Sequence, residues 1–343
     1  MLVVPKSEIT LGSVRFYGEN TGVNSVTIKQ SVENLGTTAT VVIPRNFSRK
    51  DGKGILDYLK VGDKATIRLG YNDNIETEFI GYISNISDTT PLTIELEDEW
   101  WQFKKKRMTK SWAQPGLQDV LQFAFPGYQV DNRVQCNLSG GFVINNATAY
   151  EVAKGLRESY GFTIHLDTEN KKVLAYYPYK FEGFNTHTYV FGTKDCTRID
   201  ELRQKQLAPN IVKNELKFTR KDDMHLRITC KYTDRKGKHH KFEVGDTSHA
   251  DAQHRTLTLG ANIATEQDAR QLAQSEIDRL AFDGYTGKLT GFGLPRTKAG
   301  DAVKLMDPDN PERQGTYLIK AVTITYGVGK GFRRENELAY KIA

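Results

Sequence analysis

Four of the seven histidines are close in the chain, with His239 and His240 adjacent and His249 and His254 shortly after. Zinc would need such side chains to converge with further nitrogen or sulfur ligands. The local sequence holds no two-plus-two ligand spacing, so they read as solvent-facing or hydrogen-bonding groups. Cys136, Cys196 and Cys230 are widely spaced and odd in number, which predicts three buried free thiols rather than a disulfide framework. The carboxylate pairs Glu76/Glu78 and Glu95/Glu97 each share one face of a strand. A glycosidase needs two such groups across a sugar cleft, one kept protonated by its surroundings. Spacing along a strand supplies no cleft, and acidic residues on the wet face of a hairpin are the simpler reading.

Three loops bear on cation or phosphate chemistry. Asp307-Pro308-Asp309-Asn310-Pro311-Glu312 offers oxygen ligands but lacks the central Gly and later Glu of an EF-hand, so it reads as hairpin acidity. Gly327-Val328-Gly329-Lys330-Gly331 has Gly where a phosphate loop needs Ser or Thr, and reads as a turn. Gly140-Gly141 forms no nucleophile elbow. Trp100-Trp101-Gln102-Phe103 followed by Lys104 to Arg107 reads as a charged edge beside an aromatic anchor. No catalytic, cofactor-binding or metal-ligating residue is assigned.

The elements that carry these residues are mostly strands. The 343-residue chain is 38% hydrophobic and 26% charged, the balance of a folded protein of two to four domains. A net charge of +6 permits an acidic partner without identifying nucleic acid. The N-terminal Met1-Leu2-Val3-Val4-Pro5-Lys6 has no long apolar run, so neither a signal peptide nor a membrane span is expected.

Strands are predicted at 11–16, 25–31 and 38–44, the last stopped by Pro44. Val61-Gly62-Asp63 then opens a strand, a polar loop at 70–74, and an apolar return strand at 78–86. Near the C-terminus, Ala299-Gly300-Asp301 opens a strand, a polar loop at 307–311, and the return strand 316–326. Gly before Asp suits a turn at both places, because Gly accepts positive φ and Asp bonds nearby backbone. The repetition predicts two related β modules. Between them, capping-box spacing at Thr148 and Glu151 starts a helix that Gly161 can close. Thr265 to Asp268 caps the strongest helix, 266–282, whose Ala269, Leu272, Ala273, Ile277, Leu280 and Ala281 form one stripe. A last strand is expected at 337–342. The fold class is α+β and β-rich: β-barrel-like domains at 1–99 and 206–343, with a small α+β domain at 100–205 between them.

The order of these segments resembles the tail or baseplate hub proteins of bacteriophages: late control protein D, Mu-type tail proteins, and the hub portion of the valine-glycine-repeat spike proteins of type VI secretion. The resemblance rests on Gly62-Asp63 with residues 78–86, Asn210 to Phe218, Ala269 to Ile277, Gly300-Asp301-Ala302-Val303, and Gly315 to Val322. It implies a homotrimer whose two modules per subunit present a near-sixfold face to a tail tube protein and a threefold face to a spike protein, among other baseplate proteins. The chain ends at Ala343, so the spike is expected on a separate polypeptide. The resemblance implies no catalytic or metal residue and no specific nucleic-acid site, although a genome can pass through the central channel. It places the protein in the virion tail baseplate, assembled in the host bacterial cytoplasm. Tail-associated glycan cleavage and basic nucleic-acid binding, through Lys104 to Arg107 or the stretch from Arg220 to Lys241, are the alternatives.

Overall fold

A computed structural model describes residues 4–18, 22–45, 53–134, 138, 141–160, 162–168, 170–176, 185–234, 238–259 and 265–342. The first strands are β1 (Pro5–Leu11), β2 (Val14–Gly18), β3 (Ser25–Ser31), β4 (Thr38–Ile43), β5 (Lys64–Tyr71), β6 (Asn74–Ser87) and β7 (Leu92–Glu97). Next come α1 (Trp100–Phe103), β8 (Arg107–Trp112), α2 (Leu117–Ala124), β9 (Gln129–Asn132), β10 (Phe142–Thr148), α3 (Ala149–Tyr160), β11 (Thr163–Asp167) and β12 (Lys172–Tyr176). They are followed by β13 (Thr186–Val190), α4 (Cys196–Gln204), β14 (Ile211–Thr219), β15 (Leu226–Thr233), β16 (His239–Gly245) and β17 (Gln253–Leu259). The chain finishes with α5 (Glu266–Leu280), β18 (Gly284–Phe292), β19 (Ala302–Met306), β20 (Gly315–Gly327) and β21 (Gly331–Lys341).

The fold is β-rich α+β, as expected. Thirteen strands share one sheet in the order β14-β18-β21-β20-β3-β4-β7-β6-β5-β1-β2, with β19 and β13 branching from β20. The path is open: among the described residues, no pairing joins β14 to β2 or closes a barrel. Within it, β3-β4-β7-β6-β5 and β14-β18-β21-β20-β19 repeat one antiparallel arrangement. In chain order each group places its strands first, second, fifth, fourth and third. Both groups share one core, with Ile28, Ile67, Ile83, Leu305, Ile319 and Ile324 each fully buried.

The groups diverge at one edge. β5 carries β1 antiparallel, whereas β19 carries β13 parallel. Between them, α1–α3 and β8–β12 surround a second core centred on Trp100, whose ring meets Phe125 at 5.6 Å and Tyr150 at 5.7 Å, both edge-on. Within the later residues, α5 lays Ala269 and Ala273 on the three-stranded sheet β16-β15-β17.

Several local expectations change. The strand predicted at 11–16 is two strands, because Gly12 adopts φ +54° and turns the chain. The last strand begins at Gly331 rather than Glu337, and α5 ends at Leu280. Of the three cysteines expected to be buried, Cys230 is buried and Cys196, at the start of α4, is exposed; Cys136 lies outside the described residues. Gly140, Gly161 and much of the loop after Arg45 also lie outside them. No helix among the described residues is long and apolar enough to cross a membrane.

Candidate functional site

The two Gly-Asp corners are the same structure. Gly62 has φ +94° and Gly300 has φ +92°, conformations that disfavour a Cβ. The Gly62 N–H donates to the Ile83 carbonyl at 2.7 Å, and the Ile83 N–H donates to the Asp63 carbonyl at 2.8 Å. Gly300, Ile319 and Asp301 repeat this at 2.9 and 2.8 Å. Each Asp carboxylate closes its own turn by accepting a backbone N–H three residues back, from Lys60 at 2.9 Å and Lys298 at 2.8 Å. Immediately after the anchoring Ile, both return strands slip register against their partners, at Ile83/Asn85 and at Ile319/Ala321. Such bulges bend and twist a strand locally. A shared corner, hairpin, bulge and strand order establish the internal repeat from geometry.

The surroundings of the two corners differ. Gly12 of the β1–β2 turn packs against Asp63, where an added Cβ would sit 2.6 Å from Oδ2. Asp301 instead accepts from Asn185 at 3.2 Å and pairs with His187 Nε2 at 3.0 Å.

The groups are fastened to each other by a shared ladder and by side chains beside it. β3 of the first pairs antiparallel with β20 of the second, from Ser25 opposite Gly327 to Ser31 opposite Ala321. Beside this, Arg334 is fully buried and its Nη2 meets Glu78 Oε1 at 2.6 Å. Its remaining donors reach the Gly293 and Thr297 carbonyls at 3.0 and 2.8 Å. Arg296 adds Nη1 to Glu76 at 3.3 Å and lies 3.6 Å from Glu78. The Tyr71 hydroxyl donates to the Phe332 carbonyl at 2.9 Å and accepts from the Gly293 N–H at 3.1 Å. Glu76 and Glu78 are thus engaged by arginines. A buried charge pair of this kind holds when further hydrogen bonds accompany it, and here each guanidinium nitrogen of Arg334 has an acceptor.

The other candidates take structural roles. Glu97 pairs with Lys104, and Glu95 accepts from Asn85. Lys104 also lies over the Tyr150 ring and Lys105 over Trp101, so this basic run borders the aromatic anchor. Asp307 is buried and ties its own loop, accepting from the Asp309 and Asn310 N–H groups and, at 2.7 Å, from the Tyr285 hydroxyl. Burial, aided by that carboxylate, pushes Tyr285 up to about 12. Gly329 and Gly331, at φ +74° and +65°, form the β20–β21 turn. Gly141 lies just before β10 at φ +89°, its would-be Cβ close to the Trp112 carbonyl.

The histidines separate. His240 pairs with Asp234 at 3.0 Å and stacks on Tyr232, and His254 meets the Thr229 hydroxyl at 2.7 Å. His239 is exposed. His249 shares the Asp246 carboxylate with His225, and the two rings stack with centroids 3.8 Å apart. Their three candidate ligand atoms lie within 4.8 Å of one another. Sequence reading singled out His249 and missed His225. The β15–β16 register, with Arg227 opposite Gly245, brings residue 225 beside Asp246, and no spacing motif reports that. Hydrogen bonds from Ser248 and His225, foremost that of the Ser248 side chain, hold the Asp246 carboxyl well below its usual range.

No family model matches the chain, and no characterised protein matches it in sequence. Solved structures do match. The tail protein from Neisseria meningitidis MC58 superposes with a TM-score of 0.61 at 13% identity, over 97% of this chain and 96% of that one. The prophage MuSo2 43 kDa tail protein from Shewanella oneidensis gives 0.63 at 14%, over 98% of each chain. A type VI secretion component of E. coli, itself structurally similar to the T4 bacteriophage tail proteins gp27 and gp5, gives 0.52 at 9%, over 97% of this chain and 76% of that one. The chain therefore has the fold of these two tail proteins and of this type VI secretion component.

Proposed function

We propose that the chain is a structural hub of a phage or prophage tail, acting without catalysis at the tail baseplate after assembly in the host cytoplasm. Three copies form a ring in which two modules per subunit make six similar positions. That ring meets a sixfold tail tube protein on one face and holds a threefold spike on the other, leaving a central passage. Residues 1–99 and 206–343 line the ring, and the domain at 100–205 packs outside it except for β13, which joins β19 of the second module. Function lies in templating and load transfer between unlike symmetries, which closed rings perform with reproducible interfaces.

One observation carries this reading: a single chain contains the same five-strand arrangement twice, with the same corner and the same bulge in each. A tail protein fold at nearly full coverage supports it. Light scattering on the purified chain, followed by class averages of negatively stained particles, is the test. A three-chain particle with a six-lobed hollow collar is expected. A compact monomer at every concentration, alone and with its tube and spike partners, refutes the proposal.

A further inference from the structure

The repeat predicts where one copy meets the next. Inside the chain, β3 covers the side of β20 that β19 leaves open beyond Leu318. The counterpart of β3 is β14, and the counterpart of β20 is β6. β14 ends the sheet path, with β18 on one side and no described strand on the other. β6 pairs with β5 only as far as Tyr82, so from Ser84 to Ser87 it carries β7 on one side and no described strand on the other. One chain therefore contains one completed seam and the two separated halves of a second.

The register of the second seam can be read from the first. The corners equate Ile83 with Ile319, and the shared bulge then equates Ile86 with Val322. Following the ladders across β21, β18 and β14, and across β7, β4 and β3, equates Phe218 with Gln30. Val322 stands opposite Gln30 within the chain, so Ile86 belongs opposite Phe218. Asn85 then faces Thr219, and Ser87 faces Lys217.

Backbone direction agrees. The Thr286 hydroxyl on β18 donates to the Lys217 carbonyl at 3.4 Å, so the backbone groups of Lys217 point toward β18. Alternation along the strand turns those of Leu216 and Phe218 toward the open side. On β3 the same parity holds, because the Val32 N–H donates across to the Lys320 carbonyl at 3.0 Å. The Leu216 N–H is already capped by the Asn214 side chain at 2.8 Å, at the register where β6 ends. Cap and strand end coincide, which leaves Phe218 as the outward residue facing β6.

We infer that β14 of one copy adds to the open edge of β6 in a second copy of this chain, with Phe218 opposite Ile86, reproducing between chains the seam that β3 and β20 make within one. The contact is head-to-tail, so it propagates until rotation closes a ring. It rests on the ring proposed above and names the surface through which that ring closes.

A crosslink tests it. Thr219 and Asn85 fall in the non-hydrogen-bonded class of antiparallel pairs, with Cα atoms about 4.5 Å apart, which suits a disulfide. In the full chain carrying Cys136→Ser and Cys196→Ser, the pair Asn85→Cys with Thr219→Cys should oxidise to a covalent three-chain species. Yield should exceed that of either single cysteine at least tenfold. In the unsubstituted chain, the Phe218 and Ile86 amides should exchange at least tenfold more slowly in the trimer than after dissociation by dilution. A trimer by light scattering with no crosslink above the single-cysteine level, or with unchanged exchange at both amides, overturns this seam and leaves the hub reading standing. Absence of any trimer under all conditions overturns both.

Discussion

Arg334 and Glu78 provide the sharpest test of how the two modules are joined. Replacing Arg334 by Met removes the charge that faces Glu78 at 2.6 Å and leaves the Gly293 and Thr297 carbonyls without their donors. Both side chains are nearly inaccessible, at 0% and 3%, so water cannot replace what is lost. Breaking such a pair from one side typically costs about 3–5 kcal/mol. Arg296 remains 3.6 Å from Glu78, which places the expected loss toward the lower end of that range, at about 3 kcal/mol. Replacing Glu78 by Leu as well removes the stranded carboxylate. The ladders equate Arg334 with Leu92, an apolar residue at the same inward position of the first module. The double variant should therefore recover about 2 kcal/mol relative to the sum of the singles. Urea unfolding followed by far-ultraviolet circular dichroism gives the midpoints for the cycle. Strict additivity, or an Arg334→Met midpoint equal to that of the unsubstituted chain, would refute the claim that this pair fastens the modules.

Gly62→Ala and Gly300→Ala should each destabilise by about 1–2 kcal/mol in the same unfolding assay. At Gly62 the nearest obstacle to a Cβ is Lys105 Nζ at 4.0 Å, so the loss there reports backbone conformation alone. Burial pushes the Asp98 carboxyl up to about 6, from 3.8, against the N–H groups of Thr37 and Trp100 that it accepts. Its folded value lies above its unfolded one, so its contribution is present below pH 3.8 and is lost as pH rises through about 6. Asp98→Asn should accordingly flatten the stability–pH profile between those limits by about 3 kcal/mol, measured by thermal melts at closely spaced pH. Trp100→Ala should cost about 3–5 kcal/mol and loosen the inserted domain, visible as lost near-ultraviolet dichroism.

What was legible in the sequence was local. Gly62-Asp63 and Gly300-Asp301 announced themselves because a positive φ and a self-bonding carboxylate require those two residue types in that order. The capping boxes at Thr148 and Thr265 were legible for the same reason, and both form. Pairings across long stretches of chain leave no such mark: nothing near Ser25 says that it faces Gly327, and nothing in β13 says that it runs parallel to β19. Arg334 was hidden by its chemistry. β21 turns Phe332, Arg334, Asn336, Leu338 and Tyr340 inward, and two polar members in that set disguise the alternation that would have extended the strand. His225 was hidden by register in the same way.

The unequal edges of the two modules carry a consequence for the proposed ring. Neighbouring positions around it alternate between an Asp63 corner packed by the Gly12 turn and an Asp301 corner bonded to Asn185 and His187. A tube of identical subunits would find two chemically distinct kinds of socket, arranged by turns. Rotating the tube by one subunit would then put every subunit on the wrong kind, and rotating it by two would restore the match. The joint would accept three orientations instead of six, so torque applied to the tube would be transmitted in steps set by the hub.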